Sequence, residues 1–225
     1  FFSKQKKTGG VRSISAPSHT LKIVLRRINS RIFSNCDFPA YLQGSIKDAN
    51  NPRDFVYNAK SHSSGSSFVL VDIKDFFPSI QKKHVYQIFK YLFKFPHSVA
   101  ELLANLTTLN GVLPQGAPTS SYIANLIFYD HEPSLVEWLR KRGFVYSRLV
   151  DDITISSGLR ISDKEKGEAL GKVRAMASKF NMSLHKGKIK LLDSDRPGVN
   201  VCVTGLNIEK GKPRLPVSER KKIRA

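Results

Sequence analysis

Cysteine is nearly missing: Cys36 and Cys202 are the two in 225 residues, and no Cys-x-x-Cys pair occurs. That leaves neither a disulfide framework nor a cysteine zinc site any support, and it suits a reducing interior. Long apolar runs are missing as well. No segment approaches the roughly 18 apolar residues of a membrane span, and the basic start lacks the apolar core of a signal peptide. The expectation is a cytoplasmic protein with no membrane partner. There is no internal repeat, and the low-complexity content is the short SHSSGSS stretch at 61–67. Acidic residues are scarce, 18 against 37 Lys and Arg, for a net charge of +19. The first residue is Phe, and PVSERKKIRA at the end reads like the opening turns of a helix, so the chain is expected to be a fragment cut at both ends.

What is present is a folded, basic chain. With 40% hydrophobic residues, the length suffices for one large domain or two small lobes with a real core. The basic residues run from KQKK near the start through LRKR at 139–142 to ERKKIR at the end, so the charge belongs to the body and points to a polyanion, nucleic acid above all. KKTGGVRSISAP reads as a hairpin turning at Gly9 and Gly10. LKIVLRRINSRIF shows helical spacing at Leu21, Val24, Leu25, Ile28 and Ile32, with Lys22, Arg26, Arg27 and Arg31 turned outward. A buried strand is expected at SFVLVDIKDFF, then a helix over about His84–Phe93. A long helix is expected over 121–142, with Pro133 as its weak point. Two strands meeting at a turn follow in GFVYSRLVDDITISS, then an amphipathic helix over 162–180, and strand and turn over 199–217. The order is an α+β mixture.

Asp72 and the pair Asp151–Asp152 each end an apolar strand. An unpaired carboxylate in such a place is costly. A divalent cation between them would remove that cost, because hard oxygen ligands suit magnesium, and two ions about 4 Å apart serve phosphoryl transfer. Solvent exposure or pairing with nearby Lys and Arg would remove it equally well. A third segment, LPQGAPTSSYIANLIF, sets a Pro- and Gly-rich turn before a helix, with exposed amides and Gln115 as donor and acceptor.

In that order and spacing, VDIKDFFPSI, LPQGAPTS and LVDD resemble the palm of a reverse transcriptase, and the resemblance runs over nearly the whole chain. It implies a right-hand polymerase: fingers at 1–66 and 81–110, an antiparallel palm sheet flanked by helices at 67–80 and 111–212, and the start of a helical thumb at 213–225. It implies that Asp72, Asp151 and Asp152 are catalytic and, with the Ile73 carbonyl, hold two Mg2+ ions. It places Asp75 and Phe76 at the triphosphate, Phe77 against a nucleotide 2′-hydroxyl, and Gln115 at the nucleotide from the helix side. Lys6 and Arg12 match the hairpin cations for the β and γ phosphates, and Lys188 matches the lysine that follows the paired aspartates. Lys22 and Arg26 are expected at the nucleic acid.

Leu149 and Val150 stand where the family carries an aromatic and then Ala, Val or Met, and His185 stands where Asn is common. NAKSH at 58–62 and VTG at 203–205 resemble two elements of the retron enzymes, which adds Asn58 and His62 to the RNA-contacting set. The retron resemblance implies a structured noncoding RNA as template and primer, the latter through a guanosine 2′-hydroxyl. It also implies a DNA product, deoxynucleoside triphosphates as substrates, an effector protein, and antiphage defence in the bacterial cytoplasm. A group II intron-type enzyme, a viral-type RNA polymerase and a catalytically inactive RNA-binding module stay open as alternatives.

Overall fold

The structure is a computed structural model that describes residues 2–5, 11–48, 52–209 and 211–224. Along the chain its elements are β1 (Phe2–Gln5), β2 (Val11–Ile14), α1 (His19–Arg31), β3 (Leu42–Gln43), α2 (Phe55–Ser61), β4 (Ser67–Asp72), α3 (Phe76–Ser79), α4 (Lys82–Gln87), α5 (His97–Thr107) and α6 (Ser120–Leu126). They continue with α7 (Glu132–Arg140), β5 (Phe144–Leu149), β6 (Asp152–Ser157), α8 (Asp163–Lys179), β7 (Lys190–Asp193), β8 (Cys202–Val203), β9 (Leu206–Glu209), β10 (Lys212–Arg214) and α9 (Val217–Arg224). The chain divides into two compact units, residues 1–38 with 75–129 and residues 39–74 with 130–225. These boundaries follow chain packing and do not coincide with those expected for fingers, palm and thumb.

In the first unit, β1 and β2 pair antiparallel, Gln5 opposite Val11 and Lys4 opposite Arg12. The expected Gly9–Gly10 turn and Lys6 lie outside the described residues. Ser18 caps α1, its Oγ accepting from the Leu21 N–H at 3.4 Å. Leu25 and Ile28 of α1 are buried, while Lys22, Arg26, Arg27 and Arg31 are exposed as the spacing requires. Phe33 stacks parallel on Tyr122 with centroids 5.5 Å apart, at the centre of an aromatic core that includes Phe89 and Phe93.

Two expected helices are corrected. The segment from His84 begins earlier, as α4, and its second half, Ile88–Leu92, is a π-helical turn. The long helix over 121–142 is two helices, α6 and α7, separated by turns at 127–131. Pro133 explains the break: with no N–H to donate it fits only a first helical turn, which is where α7 places it. α5 is an addition to the expected element order.

The second unit is built on a five-stranded sheet in the order β3-β5-β6-β4-β7, antiparallel except for β3, which runs parallel to β5. Alternation puts successive side chains on opposite faces. Val69, Val71, Ile153 and Ile155, all buried, pack on the face covered by α7 and α8. α8 starts at a capping box, Ser162 and Glu165 satisfying each other's backbone donors. The other face carries Phe68 and Leu70, which cluster with Ala59 of α2 and with Val201, Val203 and Leu206 around the small sheet β8-β9-β10. The antiparallel sheet flanked by helices matches the expectation, with the added feature that β8–β10 cover part of one face.

Candidate active site

Two strands of the second unit end at the same level, each on an acid. β4 and β6 are in register with Asp72 opposite Asp152, and directly opposed residues of an antiparallel pair have Cα atoms roughly 4.5–5.5 Å apart with side chains on one face. Leu149 pairs with Asp152 to close a two-residue turn of Val150 and Asp151. Val150 has φ 61, a left-handed conformation that β-branched residues rarely take. Beside it the Ile73 N–H donates to the Asp151 carbonyl at 3.1 Å. The chain ends bearing Asp72 and Asp151 are thus held together by backbone, as the sequence spacing alone could only suggest.

Lys188 completes this cluster. Its ammonium lies 2.6 Å from Asp72 Oδ2, and its pKa is raised first by that hydrogen bond and then by the charges of Asp72, Asp152 and Asp151, against some loss from burial. The segment before it is seated by main chain: the His185 N–H donates to the Asp72 carbonyl and the Lys188 N–H to the His185 carbonyl, both at 2.8 Å. The imidazole of His185 is exposed, so a His in place of Asn leaves these bonds intact. The donor set, three carboxylates with a field strong enough to raise a neighbouring ammonium, fits a hard divalent cation in its chemistry. As the side chains stand, Asp72 is turned to Lys188, and among the described residues no group of three His, Cys, Asp or Glu side chains is gathered as an ion site. Ile73 is buried, the whole residue 1% exposed.

A cleft of about 410 Å³ opens on this face, running from Asp72 and Asp152 past Lys188 and Lys190 to Cys202 and Thr204. Leu149, in the family's aromatic position, lines it and packs on Gly44, where an added Cβ would sit 2.8 Å from Leu149 Cδ1. Asn58 and His62, expected at RNA, are corrected: both are fully buried, and a side chain without exposed surface cannot reach a nucleic acid. Each ring nitrogen of His62 lies 2.7 Å from a serine hydroxyl, Ser156 of β6 and Ser147 of β5. Burial lowers the His62 pKa to about 4. Asn58 donates to the Thr204 hydroxyl at 3.4 Å, and Thr204 donates to the Phe55 carbonyl at 3.1 Å. The two short elements therefore meet, the buried Asn58 reaching Thr204 at the edge of the cleft.

On the opposite face, Arg148 is fully buried against Glu132. Its Nε and Nη2 donate to Oε1 and Oε2 at 2.6 and 2.7 Å, its Nη1 donates to the Val150 carbonyl at 3.0 Å, and the Tyr146 hydroxyl donates to Oε1 at 2.6 Å. Sequence reasoning missed Arg148, Glu132, Ser147 and Ser156. A signal existed for Arg148: a lone charge in the otherwise uncharged strand FVYSRL implies a buried partner.

The remaining expected residues belong to the first unit. Asp75 is exposed in a left-handed conformation (φ 44) at the start of α3, followed by buried Phe76 and half-buried Phe77. Gln115 is half-buried, and its main-chain carbonyl accepts the Ser15 N–H at 2.8 Å, which ties the PQG turn to the end of β2. Gly116 follows at φ 104, where a Cβ would fall 2.6 Å from Ile14 Cγ2, so the turn admits only glycine without a shift. Of the side chain of Arg12, within β2, nothing is described.

The chain has relatives among known proteins. The family described as reverse transcriptase (RNA-dependent DNA polymerase) matches residues 4–208. Retron Se72 reverse transcriptase of Salmonella heidelberg (strain 579083-10) is 39% identical over 213 residues, covering 95% of this chain and 55% of that protein. Retron Ec48 reverse transcriptase of Escherichia coli is 34% identical over 225 residues, covering 96% and 54%. The chain thus spans about half the length of these curated relatives. Among solved structures, telomerase from Candida albicans in complex with a fragment of telomeric RNA aligns with TM-score 0.55 at 11% identity over 88% of this chain and 38% of that one, a likeness of fold. Apo telomerase from Candida tropicalis aligns with TM-score 0.52 at 11% identity over 84% and 42%. Carboxylates from β4 and the β5–β6 turn, the PQG turn and the matched family agree: the chain belongs to the reverse transcriptase family and resembles its retron members.

Proposed function

We propose that this chain is the polymerising part of a retron-type RNA-directed DNA polymerase, adding deoxynucleotides on a partner noncoding RNA. The observation that carries this reading is the register of Asp72 against Asp152, with Asp151 in the adjoining turn and Lys188 in their field. Asp72, Asp151, Asp152 and the Ile73 carbonyl would hold magnesium. When bound, such ions supply charge neutralisation at the transferred phosphate and activation of the attacking hydroxyl. The chain's own part is to hold the carboxylates on one hairpin and to present the Lys188 ammonium to phosphate charge. By likeness to the family pattern, Lys6, Arg12, Asp75 and Phe76 would meet the incoming triphosphate, Gln115 would contact the nucleotide from the helix side, and Phe77 would exclude a 2′-hydroxyl. Lys22 and Arg26, exposed on α1 beside Arg27 and Arg31, suit a phosphate backbone. The resemblance extends to antiphage defence with an effector protein.

The test is single-nucleotide extension by the full-length protein with Mg2+ on an RNA template. Asp72→Asn and Asp151→Asn should each lower incorporation by about 1000-fold or more, in the range of losing a group that stabilises the transition state. Activity unchanged in Asp151→Asn would reject the site. Preferential use of ribonucleotides would reject the DNA polymerase reading. Nucleic acid copurifying with the protein should be RNA carrying a 2′-linked DNA branch, and intron RNA instead would reject the retron reading.

A further inference from the structure

We infer that Arg148, gripped by Glu132, is a positioning residue that fixes the turn bearing Asp151 and Asp152. The inference rests on the polymerase reading for its effect on rate, but the contact itself is structural. Val150 is a β-branched residue at φ 61, and such a conformation persists only where surrounding groups determine it. The peptide units on both sides of Asp151 are tied: the Val150 carbonyl accepts from Arg148 Nη1 at 3.0 Å, and the Asp151 carbonyl accepts from the Ile73 N–H at 3.1 Å. The first tie sets the peptide plane entering Asp151 and the second the plane leaving it.

The guanidinium suits this task by shape. Its Nε and Nη2 take the two oxygens of Glu132, so Nη1 is left pointing at the turn in a fixed plane. Glu132 is itself buried, anchored at the start of α7 and fixed by the Tyr146 hydroxyl at 2.6 Å. The turn is therefore referenced to α7 through an arm with little rotamer freedom. Arg148 pairs across the sheet with Ile153, on the face away from Asp72 and Asp152, so it acts on the turn through the Val150 carbonyl. A lysine has a single ammonium and cannot span carboxylate and carbonyl with one planar fork.

Arg148→Lys in the full-length protein tests this. Expected is a kcat for single-nucleotide incorporation lowered about 10- to 100-fold, the range for slight misplacement of a reacting group, with KM for the deoxynucleotide nearly unchanged. Amide exchange at Val150–Asp152 in the same variant should rise about tenfold or more while Val69–Val71 of β4 keeps its protection. Because glycine adopts positive φ without steric cost, adding Val150→Gly should recover kcat by roughly threefold or more; a purely structural ion pair would not respond to that change. If Arg148→Lys does not fold, Glu132→Gln, which keeps an acceptor but weakens the grip, should show the same pattern to a lesser degree. A folded Arg148→Lys protein with unaltered turn exchange overturns the inference, as does a kcat loss that Val150→Gly leaves untouched. Should the wild-type protein incorporate nothing, the polymerase reading falls, and the exchange measurement still decides whether Arg148 holds the turn.

Discussion

At the residue scale, the groups around the aspartates divide into those that face the cleft and those that hold the hairpin from inside. His62 belongs to the second kind, bridging β5 and β6 through two hydroxyls. Its folded-state pKa of about 4 lies below the usual 6.5, so the fold favours the neutral ring and the unfolded chain binds the proton more readily. The stability it contributes is complete above about pH 6.5 and is lost as pH falls towards 4, by an amount on the order of 3 kcal/mol. Urea unfolding of wild type and His62→Gln between pH 7.5 and 4.5 reads this as a stability gap that narrows with acidification. A gap constant with pH would contradict it. Asn58 and His62 look like RNA contacts as bare letters, since polar side chains in short motifs read as surface. Their burial comes from α2 lying across the sheet, which no local pattern encodes.

At the scale of elements, the chain relies on turns whose backbone few residues can adopt. The PQG turn brings Gly116 against Ile14 at φ 104. Gly116→Ala should destabilise the protein by about 2 kcal/mol, combining a disfavoured φ with overpacking, measured by equilibrium denaturation; a loss under about 0.5 kcal/mol, the range of ordinary surface changes, would show that the turn relaxes. The hairpin at Val150–Asp151 makes the opposite choice and keeps a β-branched residue at positive φ, which buried hydrogen bonds support. Helix ends were more legible. Ser18, Asp54 and Ser162 cap α1, α2 and α8, and Pro133 marks the start of α7. The π-helical turn at Ile88–Leu92 was not legible, because its residue types also suit an α-helix and packing decides between them.

At the scale of the whole molecule, the net charge of +19 is a statement about binding and not about fold. α1 carries Lys22, Arg26, Arg27 and Arg31 on exposed positions with no acidic residue in its first turn, and like charges at i,i+4 weaken a helix. Replacing all four by Ala should lower affinity for a primer–template duplex about tenfold or more at 0.1 M salt and reduce the slope of log Kd against log salt by roughly 1 per lost phosphate contact. Thermal stability should hold or rise. An unchanged slope, read from salt-titrated binding, would remove α1 from the nucleic-acid surface. The described residues contain no helix long and apolar enough to cross a membrane.

By itself the sequence determined the basic net charge, the α+β composition, the strands that end on Asp72 and Asp152, and the family to which the three motifs point, because charge, period-2 patterning and turn chemistry are local properties of the chain. Only the tertiary structure decided that Asp72 opposes Asp152 and that Lys188 reaches Asp72 across 116 positions of sequence. It likewise decided that Asn58 and His62 are interior struts and that Arg148 and Glu132 grip the turn at Val150–Asp151. These are long-range pairings, fixed by strand register and by the cost of leaving buried charges and polar groups without partners, and that cost arises only once the sheet and the helices covering it have closed.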